Sequence, residues 1–443
     1  MKDKTEAPIV VIGAGLSGLA AARHLAQAGL SVIVLESERR VGGRIYTDRT
    51  DGFEIDAGGQ FIANFYTHTL RLIRELNLEP DLVHIASVSA VLREGKLHRI
   101  WPNLRVIFTG LISARSKLLL LRPVFDALRH WRLLDIYAFH KAFPLDTASV
   151  TDYASRRLNR EILEYILQPP LSGILYWEPE TTSQAMLFPL LKVAAGVKLL
   201  TLRHGLGQLV EAMAGDLDVR LGAVVTQVFQ DDAGRHLVQF EQADQNHQVV
   251  ARGVVCSVPA SGVPQVFPQL SDHQRKFFQA IEYSENAICA VGVDRRMPND
   301  IYGLLFPRQE TKHLAIAAVQ SAKNPAQLPP GRDIVVLYPN GPAGRQLIDQ
   351  SDDEIGRILE SELQMAGEAY RIGNDQVIQR VYRWRQALPF FDVGHFERLH
   401  DFAVGNIESG CQVFAGDYLG GPFIEGAIHS GIQAAKRLII RLS

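Results

Sequence analysis

The sequence predicts an α/β protein: a Rossmann-type unit assembled from separated chain segments, with a mixed α+β part between them that carries a helical insert. Three observations predict it. An apolar strand runs into the glycine pattern Gly13-Ala14-Gly15-Leu16-Ser17-Gly18, and a helix and a second strand follow. Some 400 residues later another apolar strand closes on Gly416-Asp417 and leads into a long helix. Between them, residues 104–170 read as mostly helical and residues 286–340 as strand-rich.

The first unit starts at 8–12, Pro-Ile-Val-Val-Ile, a short apolar run suited to a buried parallel strand. A helix is expected over Leu19–Ala28, ended by Gly29, and a second strand over 31–35. Each glycine has a physical task. Gly13 makes the tight turn, Gly15 lets the backbone approach a diphosphate, and Gly18 lets the helix pack closely on the strand. The helix N-terminus turns its free N–H groups and positive dipole end toward an anion. Glu36 stands 23 residues after Gly13, where a carboxylate accepts from ribose hydroxyls and repels a 2′-phosphate.

Composition bounds the rest. The 443 residues allow two or three domains, and 47% hydrophobic with 21% charged residues is that of a globular chain. A formal charge of −2 gives no reason to expect nucleic-acid binding. Cys256, Cys289 and Cys411 are far apart and odd in number, which suggests neither a disulfide framework nor a zinc site, and makes a reducing, cytoplasmic setting the default. Lys2 and Lys4 ahead of an apolar run look like a signal peptide, but Asp3, Glu6 and the glycine pattern argue against one. No run of about 18 uncharged apolar residues suggests a membrane span. No Ser–His–Asp, metal-ligand or paired-carboxylate spacing stands out.

The segment after the second strand separates the possible dinucleotides. Ser37-Glu38-Arg39-Arg40-Val41-Gly42-Gly43-Arg44 resembles the glycine–glycine–arginine extension of the flavin amine oxidase superfamily, which includes protoporphyrinogen oxidases and carotenoid desaturases. The resemblance implies FAD, with Gly42, Gly43 and Arg44 along its diphosphate and near the flavin, and Ser37 beside Glu36. The run 55–60 resembles the family's strand and turn beside the isoalloxazine ring. That implies cofactor contact for Gly58, Gly59 and Gln60, and leaves Asp56 open between a turn role and a cofactor role. The run 413–427 resembles the family's closing signature. There Gly416-Asp417 would meet the ribityl chain, and Gly426 and Ala427 would precede a helix, Ile428–Leu442, facing the pyrimidine edge. The same likeness sets Val225 against the adenine and leads Trp384 back to the flavin. Cys256 reads as a buried strand cysteine and His429 as an ordinary helix residue. No cysteine stands in a flavin-attachment context, so the FAD is expected to be non-covalent.

These likenesses divide the chain. Residues 1–75, 203–270 and 381–443 would bind FAD; 76–202, with the insert, and 271–380 would face the substrate. Within the insert, Thr151 or Asp152 is the expected cap of a helix, and the run 168–174, Gln-Pro-Pro-Leu-Ser-Gly-Ile, is expected to end one. Leu118, Leu121, Phe125 and Leu128 form an apolar stripe flanked by Lys117, Arg122, Arg129 and Arg132. A helix over 117–139 could lie on a membrane or pack on the substrate part, and packing is the favoured reading. The segments at 169–189, 302–307 and 384–391 are closer to protoporphyrinogen oxidases than to amine oxidases. Many amine oxidases of the superfamily carry a lysine near flavin N5, where this chain has Ile288, implying a more apolar flavin face.

The expected activity is hydride removal from a carbon of a hydrophobic, cyclic small molecule, with the flavin re-oxidised by dioxygen or another acceptor. Amine oxidation, desaturation or isomerisation of an isoprenoid or lipid, and a non-catalytic FAD-binding role stay open. No catalytic side chain is assigned.

Overall fold

The computed structural model describes residues 7–86, 88–101, 108–194, 196–231, 234–405 and 411–443. The charges at 2–6 and positions 104–107 of the expected helical stretch lie outside them.

A five-stranded parallel sheet forms the first layer. Its order is Asp218–Leu221, β2 (Val32–Glu36), β1 (Ile9–Ile12), Gly253–Cys256 and Gln412–Phe414. All four residues of β1 are buried, as a β-branched run covered on both faces requires. The register sets Ile12 level with Leu35 and Cys256, so the strands end together along one edge. Helix α1 (Leu16–Gln27) packs on this sheet through Leu19, Ala20, Ala21, Ala22 and Leu25, and the helix Ile424–Leu442 packs against α1. Small residues allow that contact: a Cβ on Gly431 would fall 2.1 Å from the Ser17 carbonyl oxygen.

Both helices start earlier than expected, at Leu16 rather than Leu19 and at Ile424 rather than Ile428. The glycines explain the error. Gly18 and Gly426 are weak helix formers, yet both stand inside first turns, where close packing selects them over propensity.

The second layer is a seven-stranded mixed sheet in the order Gln376–Trp384, Asn286–Val293, Asp333–Pro339, Leu314–Val319, Gly303–Leu305, Ser89–Arg93 and Lys96–Ile100. Asn286–Val293 is buried throughout. The strand Gln376–Trp384 runs through the expected boundary at 380, and Trp384 at its end donates to the Ala57 carbonyl.

In the insert, Ser149, not Thr151 or Asp152, caps the helix Val150–Arg157; Asp152 completes a capping box by accepting from the Ser149 N–H. Gln168–Ile174 is the last segment of a helical stretch that starts at Arg160 and passes through a π-helical turn at Leu163–Leu167, so this run ends a helix, as expected. Pro169 and Pro170 follow the π-helical turn Leu163–Leu167, a widened turn of the kind found where a proline interrupts the helical hydrogen-bond ladder. The amphipathic stripe corrects a further expectation. Helices Ala114–Leu119 and Leu121–Arg129 pack through Ser116, Pro123 and Ala127 and turn Leu118, Leu121, Phe125 and Leu128, each 58–72% exposed, away from the protein. No helix among the described residues is long and apolar enough to cross a membrane.

Candidate functional site

The carboxyl edge of the parallel sheet is where a doubly wound fold places its ligand. At that edge Gly13, with φ +97°, donates to the Leu35 carbonyl at 2.8 Å. A Cβ on Gly18 would stand 1.9 Å from the Gly13 carbonyl oxygen, so this glycine sets the helix-to-turn distance. Gly15 differs from both. Its backbone is extended, at φ −73° and ψ 178°, and a Cβ there would meet nothing within 4 Å. No side chain caps α1, so its first N–H groups are left for another acceptor. Ala14 and Leu16 are buried on either side of Gly15.

A second glycine turn closes on the first. Gly42 donates to the Ala14 carbonyl at 2.8 Å, and Gly42 and Gly43 take φ values of +104° and +54°. An open groove above Gly15, framed by unpaired N–H groups at a helix N-terminus, fits a diphosphate.

Glu36 ends β2 and is buried. Its carboxylate accepts from the Ala14 N–H at 2.6 Å and the Glu38 N–H at 2.9 Å, with the Ser37 hydroxyl at 3.2 Å. The acid expected to face a ribose is thus also the brace of the phosphate turn. Val225 lies beside it: the Ala223 N–H donates to the Glu36 carbonyl at 2.8 Å, and the strand Val224–Gln230 starts next.

Arg44 and Asp417, expected to contact different parts of the cofactor, also contact each other. The guanidinium meets the carboxylate in a two-point pair at 2.7 and 2.9 Å and donates to the Ala387 carbonyl at 2.9 Å. With a buried Asp417 and a side chain one-third exposed, Arg44 joins the 42–44 turn to the strand end 373 residues away. Gly416 donates to the Ser430 hydroxyl at 3.0 Å, and Gly426 leaves room for the Gly420 and Gly421 carbonyl oxygens, each 2.5 Å from where a Cβ on Gly426 would stand. Ala427 follows in the same buried turn.

Three residues passed without a role in the sequence. Glu425, wholly buried, accepts from the His68 and Thr69 N–H groups at 2.7 and 2.9 Å and from the Tyr137 hydroxyl at 2.6 Å, and so caps the helix Thr67–Glu75. A buried acid in a helix first turn was its signal. Lys323 is buried and paired with Asp56 at 2.6 Å; no motif marks it. Ser257 ties the next strand to the turn by donating to the Ile12 carbonyl at 2.8 Å.

Asp56 holds a structural position. Its other oxygen accepts from the Thr47 hydroxyl at 2.6 Å and the Leu206 N–H at 2.9 Å. Gly59 donates to the Arg44 carbonyl at 3.1 Å, a Cβ on Gly58 would stand 1.9 Å from that oxygen, and Trp384 donates to the Ala57 carbonyl at 2.8 Å. The 57–60 turn is therefore layered on the 44–46 segment, with Gln60 at its end. Ile288 lies buried in its strand, and Lys323 brings a buried ammonium to Asp56 from another element. Cys256 is buried and its thiol is pushed up to about 12 by burial, an inert strand cysteine. His429 is more than a bare helix residue: its Nδ1 lies 3.2 Å from His68 Nε2, and burial, then His68, hold its pKa down to about 4.

Residues 16–439 match the family of flavin containing amine oxidoreductases. The chain belongs to that family. It is an FAD-dependent oxidoreductase. Among its relatives, protoporphyrinogen oxidase 1 of the Arabidopsis thaliana chloroplast is 24% identical over 98% of this chain and 87% of that protein. Coproporphyrinogen III oxidase of Bacillus subtilis is 23% identical over 94% of each. The fold is also that of wild-type putrescine oxidase bound to putrescine, with a TM-score of 0.74, 22% identity, and 98% and 99% of the two chains covered.

Proposed function

We propose that this flavoenzyme oxidises a porphyrinogen, a bulky cyclic tetrapyrrole, with dioxygen or another acceptor taking the electrons. The observation that carries the proposal is the match, over nearly the whole chain, to oxidases of two porphyrinogens. The cofactor would be held without a covalent bond: the diphosphate over Gly13–Gly18 and Gly42–Gly43, the adenosine by Glu36, Ser37 and Val225, and the flavin among Gly58, Gly59, Gln60, Trp384, Gly416 and the Gly426–Ala427 turn, with Arg44 and Asp417 clamping that cradle. When bound, FAD supplies hydride acceptance at its ring. The chain supplies an oriented cradle; the dipole of the helix Ile424–Leu442 favours negative charge ahead of its first turn.

Anaerobic bleaching of the flavin band tests this. Coproporphyrinogen or protoporphyrinogen should bleach it, and benzylamine, tyramine and spermine should not. Rapid amine turnover with an equal yield of peroxide would overturn the proposal.

The exposed stripe supports a peripheral contact with an anionic bilayer. Leu118, Leu121, Phe125 and Leu128 provide the apolar face, Arg115, Arg122, Arg129 and Arg132 a basic rim, and Trp131, with Lys192 over its ring at 4.3 Å, an interfacial residue. Phosphatidylglycerol-containing vesicles should sediment the protein at low salt, neutral vesicles should not, and L121E/F125E should abolish the effect. Equal sedimentation of that variant would refute it.

A further inference from the structure

Lys323 closes the helix Gln320–Lys323, beside the strand Leu314–Val319, and carries a charge into a site with almost no water: its side chain is 1% exposed and that of Asp56 is 0%. A buried charge is tolerated when a partner neutralises it, and Asp56 at 2.6 Å does so. Neutralisation alone leaves one contact unexplained. The ammonium also donates to the Gln60 side-chain carbonyl at 3.0 Å. An ammonium has no acceptor, so only the oxygen of the amide can face it. That choice sends the Gln60 NH₂ the other way, where it donates to the main-chain carbonyls of Asp56 and Gly58. A flipped amide would set NH₂ against NH₃⁺ and oxygen against two carbonyl oxygens. One buried charge therefore fixes both the orientation of Gln60 and the shape of the 56–60 turn.

We infer that Lys323 is a positioning residue for the flavin, acting through the Gln60 amide it orients. This rests on the placement of the flavin against Gly58–Gln60 proposed above. The lysine is held back from the cofactor by Gln60 and by Asp56, so it shapes the wall and does not touch the reacting atoms.

The test uses the purified holoenzyme and needs no substrate. D56N/K323M removes both charges together, so no lone buried charge is left, and the asparagine oxygen can still accept from Thr47 and Leu206. The readouts are the visible bands of the bound flavin and its midpoint potential. D56N/K323M is expected to retain FAD but to shift both, since the Gln60 amide is free to turn. Q60A should shift them too, and adding D56N/K323M to Q60A should produce no further shift. Wild-type bands and potential in D56N/K323M would show that Lys323 only balances Asp56 and would overturn the inference. So would fully additive shifts with Q60A, which would mean a route other than the amide. If D56N/K323M fails to fold, D56N/K323Q, which keeps a donor of shorter reach and leaves no lone charge, carries the same comparison. Wild-type protein that holds no FAD would instead refute the placement on which the inference rests.

Discussion

Gly15 and Gly18 stand three residues apart in one motif, yet their substitution should fail in different ways. At Gly15 the backbone is extended and a Cβ meets no protein atom within 4 Å. Gly15→Val should therefore leave the apoprotein as stable as wild type, or slightly more so, because replacing glycine at a compatible backbone position restricts the unfolded chain by about 0.4–1 kcal/mol. The same side chain occupies the space above the α1 N-terminus. Losing two charge-assisted hydrogen bonds to a diphosphate, at about 1.5–3 kcal/mol each, weakens FAD by roughly 3–6 kcal/mol, or on the order of a hundredfold to ten-thousandfold. At Gly18 the order reverses. A Cβ there lies 1.9 Å from the Gly13 carbonyl oxygen and 2.5 Å from the Ser257 hydroxyl, so Gly18→Ala must push the helix off the turn. Thermal melts of the two apoproteins, with calorimetric titration of FAD into each, separate the two cases. FAD binding to Gly15→Val at wild-type affinity would refute the cradle; a collapsed apoprotein melt in Gly15→Val would refute the claim that its side is open.

Glu36→Ala removes the acceptor of the Ala14 N–H and should weaken FAD by roughly 1–3 kcal/mol, read as the dissociation constant from the apoprotein; unchanged affinity would make Glu36 a brace alone. Asp417→Asn takes the charge from the Arg44 pair and should lower the apoprotein melt as well as FAD retention, by about 1.5–3 kcal/mol of lost charge-assisted bonding, and a melt identical to wild type would count against the clamp. His395 is wholly buried, and burial, then Arg398, hold its pKa down to about 3. The unfolded chain binds a proton there more readily, so stability should fall as pH drops from about 6.5 toward 3, by a few kcal/mol at most, and His395→Phe should flatten that slope in urea melts. An unchanged acid limb in the variant would assign the slope to other groups.

The parallel layer was legible because its signals are local. A four-residue β-branched run, a glycine turn and an acid at a fixed offset report one βαβ unit without help from the rest of the chain. Pairing between distant segments was not legible. Arg44 and Asp417 were each assigned to the cofactor by motif, and neither motif contains the fact that they meet, since 373 residues separate them. The insert failed for another reason. Helical spacing at Leu118, Leu121, Phe125 and Leu128 identifies a face but not which face is covered; Pro123 and Ala127, smaller and less conspicuous, take the buried side. Lys323 had no pattern at all, because a buried ion pair between separate elements leaves no periodic trace in either.

Those failures share a cause that bears on how the site works. Each glycine turn of the cradle is braced by a group from elsewhere: Glu36 on the Ala14 N–H, Ser257 on the Ile12 and Gly13 carbonyls, Asp417 on Arg44, and Lys323 on Gln60. Glycine turns have the largest backbone freedom to lose, so a cradle made of them is disordered unless other segments fix it. Segments near 12–60, 253–257, 323 and 416–430 must all be in place before the groove over Gly15 has its shape. Cofactor affinity therefore depends on the assembled fold, and substitutions at Ser257 and Lys323 should lower it from positions that do not touch the cofactor.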